Sequence, residues 1–211
     1  MTRYLAIGAA CAVAYAFLGA AVSHAPPGAL DRAGRSLLGG DPQLALVFTE
    51  SCWWYVLLIL GVLMIVVAVF RPEWRARVTY ALITTVVTWQ VSDVLKNVFR
   101  RPRPEYWRII HEPTFAYSSG HAMFATVVYW LWAWFLWRSA LPRPVRTAGV
   151  LLLALWGCGV IWSRLALGAH YVSDLIGGIL LGSATLAFAA AARTAIERRR
   201  ELHPAPQRNA G

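Results

Sequence analysis

Acidic residues are scarce in this chain. Its 211 residues hold ten Asp and Glu against twenty Lys and Arg, and only 14% are charged. An ordinary soluble domain carries about a quarter. That deficit, with 58% hydrophobic residues and a mean hydropathy of +0.52, excludes a typical water-soluble domain and points to a polytopic helical membrane protein. Cys11, Cys52 and Cys158 lie in apolar segments without metal-ligand spacing, so they read as small buried hydrophobes. No Walker-type glycine loop is present, and nucleotide-driven chemistry has no support. The apolar runs lack the alternation that a membrane barrel needs. The net charge of +10 is split among short loops. Without a continuous basic stripe, nucleic acid is not an expected partner.

What the chain does have is long apolar runs. A helix needs about 20 such residues to cross a bilayer. Six runs qualify, at residues 4–23, 45–70, 78–99, 120–137, 147–163 and 171–192. The expected fold is an all-α integral membrane protein, a bundle of six transmembrane helices forming one domain over residues 1–192. Residues 193–211 are expected to be a basic tail, a frayed helix end followed by disorder. Lys and Arg counts give the orientation. Twelve of the twenty lie at the two termini and in the loops around residues 71–77 and 138–146. That side is taken as cytosolic, with both termini on it. Residues 1–25 also resemble a signal peptide, but the run is long for one, and its retention is expected. Residues 28–41 are expected to form a short helix lying on the outer surface. Trp130, Trp134 and Trp137 read as an interfacial belt. Gly178 and Gly182 make a GxxxG that reads as close packing inside the bundle.

Three polar islands interrupt the apolar background, all on the side opposite the termini. Charges at such depth are costly and mark function. The first runs from Lys96 to Pro104. Asp93, Lys96 and Arg100 share a helix face, and Pro102 and Pro104 end that helix. Arg103 follows on extended chain. A lysine point charge and an arginine fork both suit a phosphate dianion. The second island, Ser118-Ser119-Gly120-His121, opens a helix. Ser119 and Gly120 present a hydroxyl and backbone N–H groups at a helix N-terminus, a ready anion site. His121 stands where it could protonate a departing oxygen. The third island is Ser163-Arg164, then His170 and Asp174. The last two are four residues apart and stack on one helix face. Asp174 can fix the imidazole tautomer and leave the other ring nitrogen as a nucleophile. Arg164 adds a fixed positive charge. Glu50, Asp93 and Asp174 are the only acidic residues inside the spans, and the cations would repel a divalent ion, so no metal is expected.

Lys96-x6-Arg103-Pro104, Ser119-Gly120-His121 and Ser163-Arg164-x5-His170-x3-Asp174 resemble the three-part signature of the type 2 phosphatidic acid phosphatase superfamily. Ser118 stands where that family usually has proline, which loosens the loop rather than removing a reacting group. The resemblance implies that His170 attacks phosphorus to form a phosphohistidine, oriented by Asp174. It implies that His121 protonates the leaving group and then helps activate water. Lys96, Arg103, Ser119, Gly120 and Arg164 would hold the phosphoryl oxygens. No contact is assigned to Ser163. Arg100, Arg101 and Arg108 lie outside the matched positions and could meet a second phosphate or lipid head groups.

The expected function is a metal- and cofactor-independent lipid phosphate phosphatase of the cell (inner) membrane, its site facing the periplasmic or extracellular side. Undecaprenyl diphosphate is the first substrate expected. Phosphatidylglycerol phosphate, phosphatidic acid and lipid A phosphate stay open. So does transfer of the phosphoryl group to another lipid. A non-enzymatic anion or lipid transporter is the rival class, but no internal repeat supports it. Oligomeric state is not legible.

Overall fold

The computed structural model describes residues 1–36, 41–105 and 113–202. Every regular element among them is helical. These are α1 (Thr2–Val22), α2 (Ala29–Ser36), α3 (Pro42–Glu50), α4 (Trp54–Phe70), α5 (Arg75–Phe99), α6 (Gly120–Trp137), α7 (Arg143–Ala166) and α8 (Val172–Leu202), with a 3₁₀ turn at Pro72–Trp74 before α5.

Four helices among the described residues are long and apolar enough to cross a membrane, or five if α3 and α4 are counted as one bent span. The run over residues 45–70, with its core at 52–70, was expected to form one span. It is broken at residues 51–53 and bent by 45°. Ser51 ends α3, and its hydroxyl turns back to donate to the Phe48 carbonyl at 2.7 Å. α6 is not among the membrane-length helices. Its four tryptophans and His121 dilute the hydropathy of 18 residues. It is nevertheless the centre of the bundle, packed against α5, α7 and α8.

In a bilayer, helices associate by close contact rather than by the hydrophobic effect. α8 shows how. A Cβ on Gly178 would come 2.5 Å from the Ser119 carbonyl oxygen, and one on Gly182 would come 2.9 Å from that of Met123. The GxxxG therefore seats α8 directly on the α6 backbone. α1 packs along α8, with Gly8 under Phe188 and Gly19 under Phe99 and Tyr117. The Tyr117 hydroxyl donates to the Tyr15 carbonyl at 2.6 Å, and their rings stack. α1 is thus an integral part of the bundle core.

Two other expectations need correction. α8 does not stop near residue 192 but stays helical to Leu202. Its alanine-rich composition and the Arg193–Glu197 pair at i,i+4 favour that continuation. The remainder of the expected tail, residues 203–211, lies outside the described residues. Cys52 is buried as expected, but Cys158 is exposed on the outer face of α7, and Cys11 is intermediate.

Candidate active site

α5, α6, α7 and α8 bring their ends together on one side of the bundle. Lys96 sits in the last turn of α5 and is buried. α5 ends at Arg100, which adopts the left-handed conformation (φ 49°) and turns the chain toward Arg103. Ser119 caps α6 and is fully buried. Its own N–H donates to the Asp174 carbonyl at 3.0 Å. That bond ties the α6 N-terminus to the first turn of α8.

His170 lies just before α8, 1% exposed. Arg103 Nη1 stands 3.2 Å from His170 Nε2. Arginine has only donors, so Nε2 must carry the lone pair. The ring proton is then on Nδ1, which has no hydrogen-bond partner among the described residues and lies 3.5 Å from Asp174 Oδ2. Burial holds the His170 pKa well below 6.5, and Arg103, Arg164, Lys96 and His121 press it lower. The imidazole is neutral and faces a cluster of cations.

The other expected residues fall around it. A Cβ on Gly120 would lie 3.9 Å from Lys96 Nζ, so the start of α6 faces that ammonium. His121 follows in the first turn, with its ring edge-to-face on Trp53 at 5.7 Å. Arg164 is buried near the end of α7. Ser163 is buried, and its hydroxyl donates to the Val160 carbonyl of its own helix at 2.7 Å. Among the described residues, no three His, Cys, Asp or Glu side chains are grouped so that they could hold a metal ion.

Thr114 and Thr49 carried no signal in the sequence, and Arg101 and Asp31 take roles it did not suggest. Thr114 accepts from Lys96 Nζ at 3.3 Å and from Arg103 Nη2 at 2.8 Å, while its carbonyl accepts from Arg103 Nε at 2.6 Å. It gathers Lys96 and Arg103 of the first island. Thr49, at the end of α3, accepts from Arg164 Nη1 at 2.6 Å. Arg101 is the largest departure from expectation. It does not reach toward a second phosphate or a head group, because it is only 2% exposed. Its Nη1 donates to Asp174 Oδ1 at 2.6 Å and to Ser173 Oγ at 2.7 Å, and its Nη2 donates to Asp31 Oδ2 at 2.8 Å. Asp31 belongs to α2. A helix therefore exists within the expected residues 28–41, of which 37–40 lie outside the described residues, and one face of it is pinned to the start of α8. Burial alone would raise the Asp31 pKa. Hydrogen bonds from the Ser173 backbone and hydroxyl and from Arg101 outweigh it and hold the carboxyl below its usual value. Arg100 turns back to donate to the Asn97 carbonyl at 3.0 Å, and Arg108 lies outside the described residues.

A buried carboxylate must be neutralised or hydrogen-bonded. Asp174 achieves this without a charged histidine. Arg101 holds Oδ1, and the Tyr171 N–H donates to Oδ2 at 2.9 Å. The arrangement can present a neutral ring nitrogen to an anion held by several cations. The family model of the PAP2 superfamily matches residues 54–198. The chain belongs to that superfamily. It is 26% identical to the crystal structure of a transmembrane PAP2-type phosphatidylglycerolphosphate phosphatase from Bacillus subtilis. That match has a TM-score of 0.74 and covers 90% of this chain and 98% of the other. Phosphatidylglycerophosphatase B of Escherichia coli is 41% identical over 78 residues, which are 37% of this chain and 29% of the relative. Lipid A 1-phosphatase of Rhizobium johnstonii is 30% identical over 111 residues, 49% of this chain and 43% of the relative. The chain thus spans less than half the length of these curated relatives.

Proposed function

We propose that this superfamily member is a membrane phosphatase that hydrolyses the phosphomonoester of a glycerophospholipid phosphate. The observation that carries it is the His170 ring, buried, with its lone pair toward Arg103. The lone pair on Nε2 attacks phosphorus as the P–O bond to the lipid alcohol breaks. His121 gives its proton to the departing oxygen. Nδ1–H stays with Asp174, which stabilises the charge the ring acquires. Water, deprotonated by His121, then cleaves the P–N bond and releases inorganic phosphate. Lys96, Arg103, Arg164, Ser119 and the Gly120 N–H hold the phosphoryl oxygens as charge develops.

Relatives named for phosphatidylglycerophosphate and lipid A favour a glycerophospholipid or saccharolipid monophosphate over undecaprenyl diphosphate as substrate. Phosphatidylglycerol phosphate stands first. We place α6 as a sixth crossing, because it lies between crossing helices on three sides. Both termini are then cytosolic, and the site opens to the periplasmic or extracellular side of the cell membrane.

The test is phosphate release by detergent-purified protein in excess chelator, over a panel of lipid phosphates. Phosphatidylglycerol phosphate should turn over fastest, and His170→Ala should abolish release without loss of folded protein. An active His170→Ala enzyme would overturn the mechanism. A panel led by undecaprenyl diphosphate would overturn the substrate assignment alone.

A further inference from the structure

The bundle has a charged cavity at the end away from His170. Its volume is about 510 Å3, and its walls come from α1, α5, α6 and α8. Three of these helices reach the active site by one end, through Lys96, Gly120 and Asp174. They reach this cavity by the other, through Arg77, Trp134 and Arg193. At 1.5 Å per residue, α6 alone separates the two ends by about 27 Å.

The cavity has two kinds of surface. Arg77, Arg138 and Arg193 supply three cations. Among the described lining residues the one carboxylate is Glu197, and it is already bound to Arg193 at 2.8 Å. The rest is apolar, with Leu131, Phe135 and Leu186 among the lining. Leu131 and Phe135 are buried. Trp134 forms an aromatic wall, with the Arg193 guanidinium 5.4 Å from its ring centroid. A basic rim over an apolar floor, at the level of an interfacial aromatic belt, is matched by an amphiphile with an anionic head. A free phosphate would leave the floor uncovered. A purely apolar occupant would leave the cations without a counter-charge.

We propose that this cavity binds one anionic glycerophospholipid from the leaflet opposite the active site. The lipid phosphate lies between Arg77 and Arg138, and an acyl chain lies against Leu131, Phe135 and Leu186. Such a lipid bridges α1, α5, α6 and α8 and stabilises the packed bundle by mass action. The claim is independent of which substrate is hydrolysed.

The experiment uses purified full-length protein in detergent micelles doped with phosphatidylglycerol or phosphatidylcholine. Native mass spectrometry reads the bound lipid, and thermal unfolding reads its effect. Wild type should retain one phosphatidylglycerol and gain Tm from it but not from phosphatidylcholine. Arg77→Gln with Arg138→Gln should weaken apparent affinity ~30-fold, from two lost cations near a lipid head. Ala190→Phe, which fills the cavity and keeps every cation, should lose the lipid too. If that variant does not fold, the arginine pair still decides. Arg143→Gln with Arg198→Gln removes the same charge away from the cavity and should bind as wild type does. Equal stabilisation by phosphatidylcholine would overturn the proposal. So would loss of binding in the control pair, or an equal effect from glycerol 3-phosphate alone.

Discussion

Replacing Asp174 with Asn changes one atom and removes one charge. The surrounding donors set the cost. Oδ1 accepts from Arg101 at 2.6 Å, Oδ2 accepts from the Tyr171 N–H at 2.9 Å, and Oδ2 also faces His170 Nδ1 at 3.5 Å. All three neighbours present hydrogens, and an amide has one acceptor oxygen. If that oxygen stays on Arg101, the NH2 group meets the Tyr171 N–H and points a hydrogen at Nδ1. The ring proton then moves to Nε2, and the lone pair that should meet phosphorus is lost. If the amide flips, its NH2 group faces the guanidinium instead. Either orientation leaves a buried donor against a donor, at about 1–3 kcal/mol of stability. The loss of turnover is larger, since the wrong tautomer in a comparable nucleophile–base–carboxylate site costs ~10⁴ in kcat. Lys96, Arg103 and Arg164 keep their own anchors, so KM for a lipid phosphate should change by less than about threefold. The assay is steady-state phosphate release at matched folded concentration, with Tm measured in parallel. Turnover equal to wild type, or a loss carried by KM alone, would refute the reasoning.

Arg101→Met should lower stability by about 3–5 kcal/mol, because it strands two buried carboxylates. Adding Asp31→Asn should recover part of the Tm but none of the turnover; recovery of both would make the pair purely structural. His170 loses basicity by burial and by its cationic neighbours, so the neutral nucleophile persists below pH 6.5. The acidic limb of kcat/KM should move to higher pH in Lys96→Met, and an unmoved limb would show that another group sets it. Gly178→Ala forces a methyl to within 2.5 Å of the Ser119 carbonyl and should cost about 1–3 kcal/mol, read as a lower Tm; an unchanged Tm would mean that α6 and α8 can separate freely. Externally added thiol reagent should label a cysteine placed at Glu105 and spare one at Ala140, and the reverse pattern would invert the proposed topology.

The helices were legible because lipid imposes one rule: a run must be apolar and must satisfy its own backbone. That rule says little about where a run bends. The break at residues 51–53 follows the polar Thr49-Glu50-Ser51 triplet, which shortens the apolar core but does not say that the chain bends there. The spacing of the three islands was legible because helix periodicity places Lys96, Arg164, His170 and Asp174 toward one end of the bundle. The partners of those residues were not. Thr49 and Thr114 read as ordinary polar residues, and nothing in a sequence says which arginine of an Arg-Arg-Pro-Arg run turns inward. Arg101 and Arg103 are two residues apart. One neutralises Asp174, and the other meets His170. Only tertiary contacts with α2 and α8 distinguish them. α8 outran its expected end because apolar content defines a membrane span, whereas alanine and arginine sustain a helix beyond it.

The clasp between Asp31 and Arg101 has a consequence for engineering. A chemist who transplanted only the three signature segments onto another bundle would carry over His121, His170 and the cations and leave behind their electrical ground. Asp174 would still have a guanidinium, but that guanidinium would lack its second anchor from the amphipathic segment far upstream. Any minimal version of the proposed site must therefore include residues 29–36, although none of them is expected to touch a substrate.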